Sequence, residues 1–286
     1  MAAEPHMSSA LDSPTGWRRV GRYALLGTLA VIVVFPIYAV LLQALKSGPD
    51  ALDHPRSLLP VDLTFDTIRS AWSMGNLGRL LVNSLFVSVV VTIGVIVTSV
   101  LAAYAFAFLE FPLKALTFAL YLATMLVPAE VTVVVNQRTA DELGWLNSYQ
   151  GLIVPLLAST FGVFLVRQVF LQIPHELREA ASLDGVGHMR FLFEVAAPLS
   201  RPTLGALGLF TFLGTWNAYL WPSQVINDDA HQTIQIGLER LRTPTDINKF
   251  NVVTGGLVVA ALPIFIMLVV FQRQLVRGLT AGAVKG

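Results

Sequence analysis

The chain has 286 residues, 55% of them hydrophobic and only 13% charged, with a mean hydropathy of +0.67. Soluble domains carry about 25% charged residues, so the composition excludes an ordinary soluble domain and places this chain in a bilayer as one membrane domain. A net charge of +1 gives no footing for nucleic-acid binding, and the lack of cysteine removes disulfides and cysteine-based metal or redox chemistry.

Residues 1–21 are polar, with Pro, Ser and Gly and no periodicity, and read as a flexible cytoplasmic tail ahead of a membrane domain over 22–286. Arg18, Arg19 and Arg22 precede the first apolar run, as in a signal peptide. Tyr23–Leu45 is span-length, however, lacks a small-residue cleavage site and is followed by more apolar runs, so it is expected to be a retained first helix, kinked at Pro36. Five more runs follow at Leu80–Leu109, Ala115–Asn136, Gln150–Ile173, Thr203–Trp221 and Val252–Gln272. Each reaches or approaches the ~20 residues of a span, and the second is long enough to tilt or to extend into water. The expectation is an all-α polytopic membrane protein with six transmembrane helices and both termini on one side.

The side is a matter of charge. With the N-terminus inside, the inner segments hold Arg18, Arg19, Arg22, Lys114, Arg167, Arg178, Arg190, Arg201, Arg273, Arg277 and Lys285, eleven of the 19 basic residues. The positive-inside bias then puts both termini and Pro174–Pro202 in the cytoplasm.

Pro174–Pro202 is a polar island between apolar runs. Glu176–Asp184 is a run of good helix formers after a proline, and Gly185 and Gly187 break it where a sharp turn needs positive φ. A second short helix is expected over His188–Ala197, with Pro198 near its end. Met189, Leu192, Phe193 and Ala196 recur there at helical spacing, with Phe191 and Val195 beside them. Such a face suits lipid headgroups or a groove in a partner protein.

Glu179-Ala180-Ala181, then Gly185 after three residues, then Val195 and Ala197-Pro198, resembles the EAA loop of ABC importer permeases. Val195 and Ala197 stand where the family pattern has isoleucine and leucine. The resemblance implies a cytoplasmic coupling element docked on an ATP-hydrolysing subunit, with Glu179, Ala180, Ala181, Asp184, Gly185, Met189, Phe191 and Pro198 as the coupling residues. It also implies the type I importer permease fold.

The other candidate residues lie in the spans. Trp216-Asn217-Ala218-Tyr219-Leu220-Trp221-Pro222 closes the fifth run. It reads equally as an aromatic belt or as a substrate-facing patch of Trp216, Asn217 and Tyr219. Trp216 and Tyr219, three apart, are expected to share a face. Asn217 needs a partner if it is buried in lipid. Asn83-Ser84 reads as helix–helix hydrogen bonding or a place on the path. Glu130 follows Pro128 near a span end and is an ionisable candidate for the path. Arg167 is expected to snorkel to the headgroups.

The C-terminal Val276-Arg277-Gly278-Leu279-Thr280 to Lys285-Gly286, with Trp216-Asn217 and the loop, resembles the carbohydrate branch of these permeases, maltose-type second subunit. In that family the tail reaches between the ATPase subunits. Met125–Val131, Leu146–Leu152, Phe164–Phe170 and Gln272–Leu279 resemble, more narrowly, the permeases of glycerol-3-phosphate importers.

The resemblance implies an ATP-driven importer for glycerol-3-phosphate or a glycerophosphodiester, or alternatively maltose or trehalose, in a bacterial inner membrane. The implied partners are a second homologous permease, two ATP-binding subunits that hold ATP and Mg, and an extracytoplasmic substrate-binding protein. No catalytic residue, metal site or bound cofactor is expected on this chain, which has no G-x-x-x-x-G-K-[ST], no H-E-x-x-H and no G-x-S-x-G. The histidines fall in loops, tails or the polar island. A secondary transporter would need ionisable residues at mid-span, and outside Arg167 and Glu130 there are almost none. A membrane enzyme would need a catalytic cluster, and composition alone also permits a structural scaffold.

Overall fold

A computed structural model describes residues 16–54, 56–59, 62–242 and 251–281. Apart from one isolated bridge between Lys46 and Leu63, every regular element among them is helical, as expected. Residues 1–15 of the expected tail, 243–250 of the last connecting segment and 282–286 lie outside the described residues.

Helix α1 (Gly16–Leu45) begins ahead of the apolar run and passes through Pro36. Arginine propagates a helix well, and nothing between Trp17 and Arg22 breaks one, so the helix start comes before the hydrophobic boundary. Most of α1 is exposed, and only its end is held, with Leu42, Ala44 and Lys46 buried. The Lys46 ammonium donates to the carbonyls of His54 and Ser57 at 2.9 and 3.0 Å, tying down α2 (Gly48–Asp53) and the turn after it. Asn251 donates to the Lys46 carbonyl at 3.1 Å and to the Thr67 hydroxyl at 3.2 Å, which joins α1 to α3 (Asp66–Met74) and to the start of the last helix.

Helix α4 (Leu77–Phe108) is the axis of the molecule. Its 32 residues span about 48 Å, well beyond the ~30 Å hydrocarbon core. Glu110-Phe111-Pro112 ends it, since the residue before a proline is pushed out of helical conformation.

The third expected span is broken. Helix α5 (Lys114–Ala123) continues as a 3-10 turn over Thr124–Leu126, and α6 (Ala129–Glu142) leaves at 102°. Pro128 forces Val127 to an extended ψ of 116°, and α6 then runs past the expected end at Asn136. The fourth run is α7 (Tyr149–Ile153), a 3-10 turn over Val154–Leu156 and α8 (Thr160–Phe170), bent by 42°. Pro155 interrupts the ladder there, and the Ser159 hydroxyl caps α8 by accepting from Gly162 N–H at 3.0 Å.

The polar island forms α9 (His175–Leu183), α10 (His188–Phe191), a π-helical turn over Leu192–Ala196 and α11 (Ala197–Leu199). Helix α12 (Arg201–Trp216) has 16 residues and is about 24 Å long, short of a span. The expected continuation to Trp221 is cut at Asn217 and resumes as α13 (Leu220–Val225), followed by α14 (Ile234–Leu241) and α15 (Val252–Ala281). The described residues thus contain three helices that span by length and composition, or up to five if each bent pair is one span, against the six expected from hydropathy.

Two cores surround α4. Val87, Val91 and Val95 recur every fourth residue and lie buried with Val163, Val166 and Phe170 of α8 and Leu207 of α12. Lipid is as apolar as these side chains, so close packing holds the helices together. At Gly162 a Cβ would stand 2.3 Å from the Ser99 hydroxyl, so glycine is what lets α8 approach α4. The second core joins Leu77 and Leu80 of α4 to Phe212 and Trp216 of α12, Leu238 of α14 and Val259 of α15.

Candidate functional site

Helix α9 ends on a Schellman motif. Val186 N–H bonds the Ala181 carbonyl at 2.9 Å, and Gly185 N–H bonds that of Ser182 at 3.1 Å. Gly185 takes φ +72°, which a β-carbon opposes, so the sequence-predicted turn is present with its glycine where the geometry demands it. The π-helical turn also has a local cause. Pro198 lacks an N–H and its ring crowds the carbonyl four residues back, while Ala197 N–H reaches the Leu192 carbonyl five residues back.

That widened turn changes which side chains face out. Phe191, Leu192 and Ala196 are buried, whereas Met189 and Phe193 are 61% and 62% exposed. The expected single apolar face is therefore split. Phe191, a predicted coupling residue, packs edge-on to Phe108 of α4 with ring centroids 5.7 Å apart and cannot reach a partner. Glu179, Ala180, Asp184, Gly185 and Met189 are exposed, and Ala181 and Pro198 are half-buried. Leu183, which the motif reading passed over, is 89% exposed between them. The exposed apolar side chains of the loop thus include Leu183, Met189 and Phe193, and its exposed acidic ones include Glu179 and Asp184.

The island is fastened to the spans at one polar point. Tyr104 of α4, buried, shares a 3.0 Å hydrogen bond with Nδ1 of His188. The Arg178 guanidinium lies 5.6 Å from the Phe108 ring centre, and Phe108 also meets Phe170. Arg167, near the end of α8, is half-buried. It donates to the Phe106 carbonyl at 3.2 Å and stacks 4.2 Å from the centre of the Phe118 ring.

At the opposite end of α4 the structure gathers some of the predicted path residues and separates others. Asn83 is buried. Its amide donates to the carbonyls of Ala230 and Gln232 at 2.8 and 2.9 Å and accepts from the Tyr149 hydroxyl at 2.8 Å. The next residue, Ser84, accepts from Ile234 N–H at 2.7 Å. These two side chains pin the segment between α13 and α14. Within it Asp228 accepts from the His231 backbone and pairs with its ring, and Asn147 accepts from the backbone of Asn227 and Asp228. The Arg240 guanidinium, 2.7 Å from Asp229, holds that carboxyl below the usual carboxylate range through their hydrogen bond.

Trp216 and Tyr219 do not share a face. Helix α12 stops at Trp216, which is 1% exposed and stacks on Phe212 at 5.8 Å, whereas Tyr219 is exposed beyond the break. A side chain enclosed by its own subunit cannot line a passage, so the paired aromatic patch is not formed. Asn217 is exposed at the helix end. Its Nδ2 bonds the Leu213 carbonyl at 2.9 Å, and its Oδ1 lies 3.5 Å from the Gln235 amide. Glu130 stands apart, exposed in the first turn of α6, where a carboxylate suits the helix dipole.

Sequence reasoning missed the open side of the α7–α8 break. A groove of about 380 Å³ runs there between α4, the break and α12, with Ser159, Thr211 and Thr215 in its lining. Non-helical backbone at membrane depth is tolerated where it is buried or lines an aqueous cavity. Pro155 and Ser159 inside an apolar run were the available signal.

The whole chain can be compared with known proteins on this geometry. The pattern of the family described as "Binding-protein-dependent transport system inner membrane component" matches residues 85–280. The sn-glycerol-3-phosphate transport system permease protein UgpE of Agrobacterium fabrum is 38% identical over 257 residues, 87% of this chain and 91% of that protein. UgpE of Brucella abortus is 36% identical over the same shares, and UgpE of Pectobacterium atrosepticum is 34% identical over 89% of this chain and 92% of its own length. In fold, the chain is similar to a subunit of a bacterial ABC transporter involved in the import of the acidic polysaccharide alginate. The TM-score is 0.80 at 23% identity, covering 89% of this chain and 95% of that one. The chain is a multi-pass membrane protein and a translocation component rather than an enzyme; it belongs to the family of inner membrane components of binding-protein-dependent transport systems, the ABC importer permeases.

Proposed function

We propose that this chain is one of the two permease subunits of an ATP-driven importer for sn-glycerol-3-phosphate or a related glycerophosphodiester. The observation that carries the substrate is the 34–38% identity to UgpE permeases across nearly the whole length of both partners. A second homologous permease, two ATP-binding subunits and an extracytoplasmic binding protein complete the assembly. ATP and Mg sit on the ATP-binding subunits, and substrate crosses by alternating access between the two permeases. Substrate uptake into vesicles holding the assembled complex, supplied with binding protein and ATP, tests the reading. Labelled glycerol-3-phosphate should be taken up and displaced by glycerophosphodiesters. Uptake of maltose or trehalose in its place would overturn the substrate.

The exposed side chains Glu179, Leu183, Asp184, Met189 and Phe193 belong to the surface for the ATP-binding subunit in this reading, supported by their exposure and by the loop motif. Gly185→Leu is then expected to leave the spans inserted and to weaken retention of that subunit. The Gly185 Cβ would meet no atom within 4 Å, so the cost is confined to the positive-φ turn, about 1–2 kcal/mol. Co-purification of the ATP-binding subunit reads it, and unchanged retention with unchanged uptake would refute the assignment.

Both termini and residues 174–202 face the cytoplasm in this reading, supported by the excess of basic residues on that side. Ser182 and Asp229 are exposed at opposite ends of the molecule, and the chain has no cysteine. A single cysteine at position 182 should react with an impermeant maleimide only in inverted vesicles, and one at 229 only in intact cells. The reverse pattern would invert the topology and remove the docking role.

A further inference from the structure

We propose that α4 is the rod through which movement of the loop at residues 175–199 reaches the segment at 227–234 on the far end of the subunit. The inference rests on the importer reading only for the source of that movement. Tyr104 and Asn83 are 21 residues apart on one helix that passes without proline between them, which sets the two grips about 32 Å apart. At the near end, Tyr104 is 4% exposed and bonds His188, the first residue of α10, at 3.0 Å. Phe108, one turn on, is wedged between Phe170 and Phe191, so the loop also grips α4 through rings. At the far end, Asn83 holds the carbonyls of Ala230 and Gln232, and Ser84 holds the first N–H of α14.

Between the grips α4 is packed on both flanks by α8 and α12. Of the other routes, the run from α7 to α8 bends by 42°, and α12 leaves the loop unbroken but ends at Trp216. Trp216 meets α14 through apolar packing and a backbone carbonyl that accepts from Gln235, not through side-chain hydrogen bonds to the 227–234 segment. A stiff element clamped at both ends transmits displacement, and a broken one absorbs it. Tyr104, His188 and Ser84 are thus positioning residues that touch neither substrate nor nucleotide.

Tyr104→Phe removes one hydroxyl and keeps the ring, and Ser84→Ala removes the far grip on Ile234. In the assembled complex, each is expected to lower ATP hydrolysis stimulated by loaded binding protein by about five-fold, the factor one net hydrogen bond carries. Retention of the ATP-binding subunits is expected to be unchanged. In series on one rod, the double variant should fall no further than the worse single one. His188→Asn places an acceptor where Nδ1 stands and should retain stimulation, whereas His188→Ala should lose it. A second readout needs no substrate. Addition of ATP to the complex should change amide exchange at Ile234 in the wild type and leave it unchanged in Tyr104→Phe. Effects that multiply to about 25-fold, loss of the ATP-binding subunits in Tyr104→Phe, or an exchange response that survives it would each overturn the rod. Failure of wild-type uptake, with the exchange response present and lost in Tyr104→Phe, would instead overturn the substrate reading alone.

Discussion

Trp216→Ala is expected to destabilise the subunit by about 3–5 kcal/mol, the range for deleting a buried tryptophan. The indole is 1% exposed, stacks on Phe212 with an interplanar angle of 15° and lies in the core formed with Leu77, Leu80 and Leu238. Its removal opens a cavity where α4, α12 and α14 meet, which those helices cannot close without moving. Trp216→Phe should recover most of the loss. The indole Nε1 is buried without a hydrogen-bond partner, so the change sacrifices volume and no bond. Thermal aggregation of the purified chain measures the effect. Near-wild-type stability together with lost uptake would show Trp216 acting on substrate, contrary to its burial. Asn217→Ala, one residue on but exposed, should leave stability almost unchanged.

Asn83→Ala is expected to cost about 3 kcal/mol, at roughly 1 kcal/mol for each of the three hydrogen bonds it strands. The carbonyls of Ala230 and Gln232 and the Tyr149 hydroxyl would all lose a partner. The damage should be local, because residues 227–233 have no helix of their own to hold them. Amide exchange is the discriminating measurement. Protection should fall across 230–234 while amides near Val91 and Val95 keep theirs. Asn83→Asp should be at least as harmful, since it preserves the acceptor for Tyr149 but turns an oxygen towards two carbonyls. Uniform loss of protection along α4 would refute a pinning role and make Asn83 part of the general packing.

The loop at residues 174–202 was legible because its signals are local. Gly185 must sit where the chain turns with positive φ, and Glu176–Asp184 ahead of it consists of helix formers, so motif and geometry coincide. Phe191 was misread because its burial depends on another helix. Helical spacing groups Phe191 and Val195 beside Met189 and Phe193, but Pro198 widens the turn, and Phe108 of α4 claims Phe191. Asn83 read as either a bond between helices or a path residue, and what it binds lies 147 and 149 residues away.

By itself the sequence determined that this is a helical membrane protein, because apolar runs too long and too poor in charge for water force helices into a bilayer where every backbone group must be paired. It also determined the family, through the ordered motif of the loop. Only the tertiary structure decided which side chains are available for function. Trp216 and Tyr219 differ by three positions, yet a helix that ends between them puts one in the core and the other outside. Hydropathy scores how a run partitions into lipid, and is blind to whether Pro128 or Pro155 breaks it. The bends have local causes in Pro128 and Pro155, whereas the groove beside Ser159 and the two clamps on α4 arise from contacts between segments far apart in the chain, which no local pattern encodes.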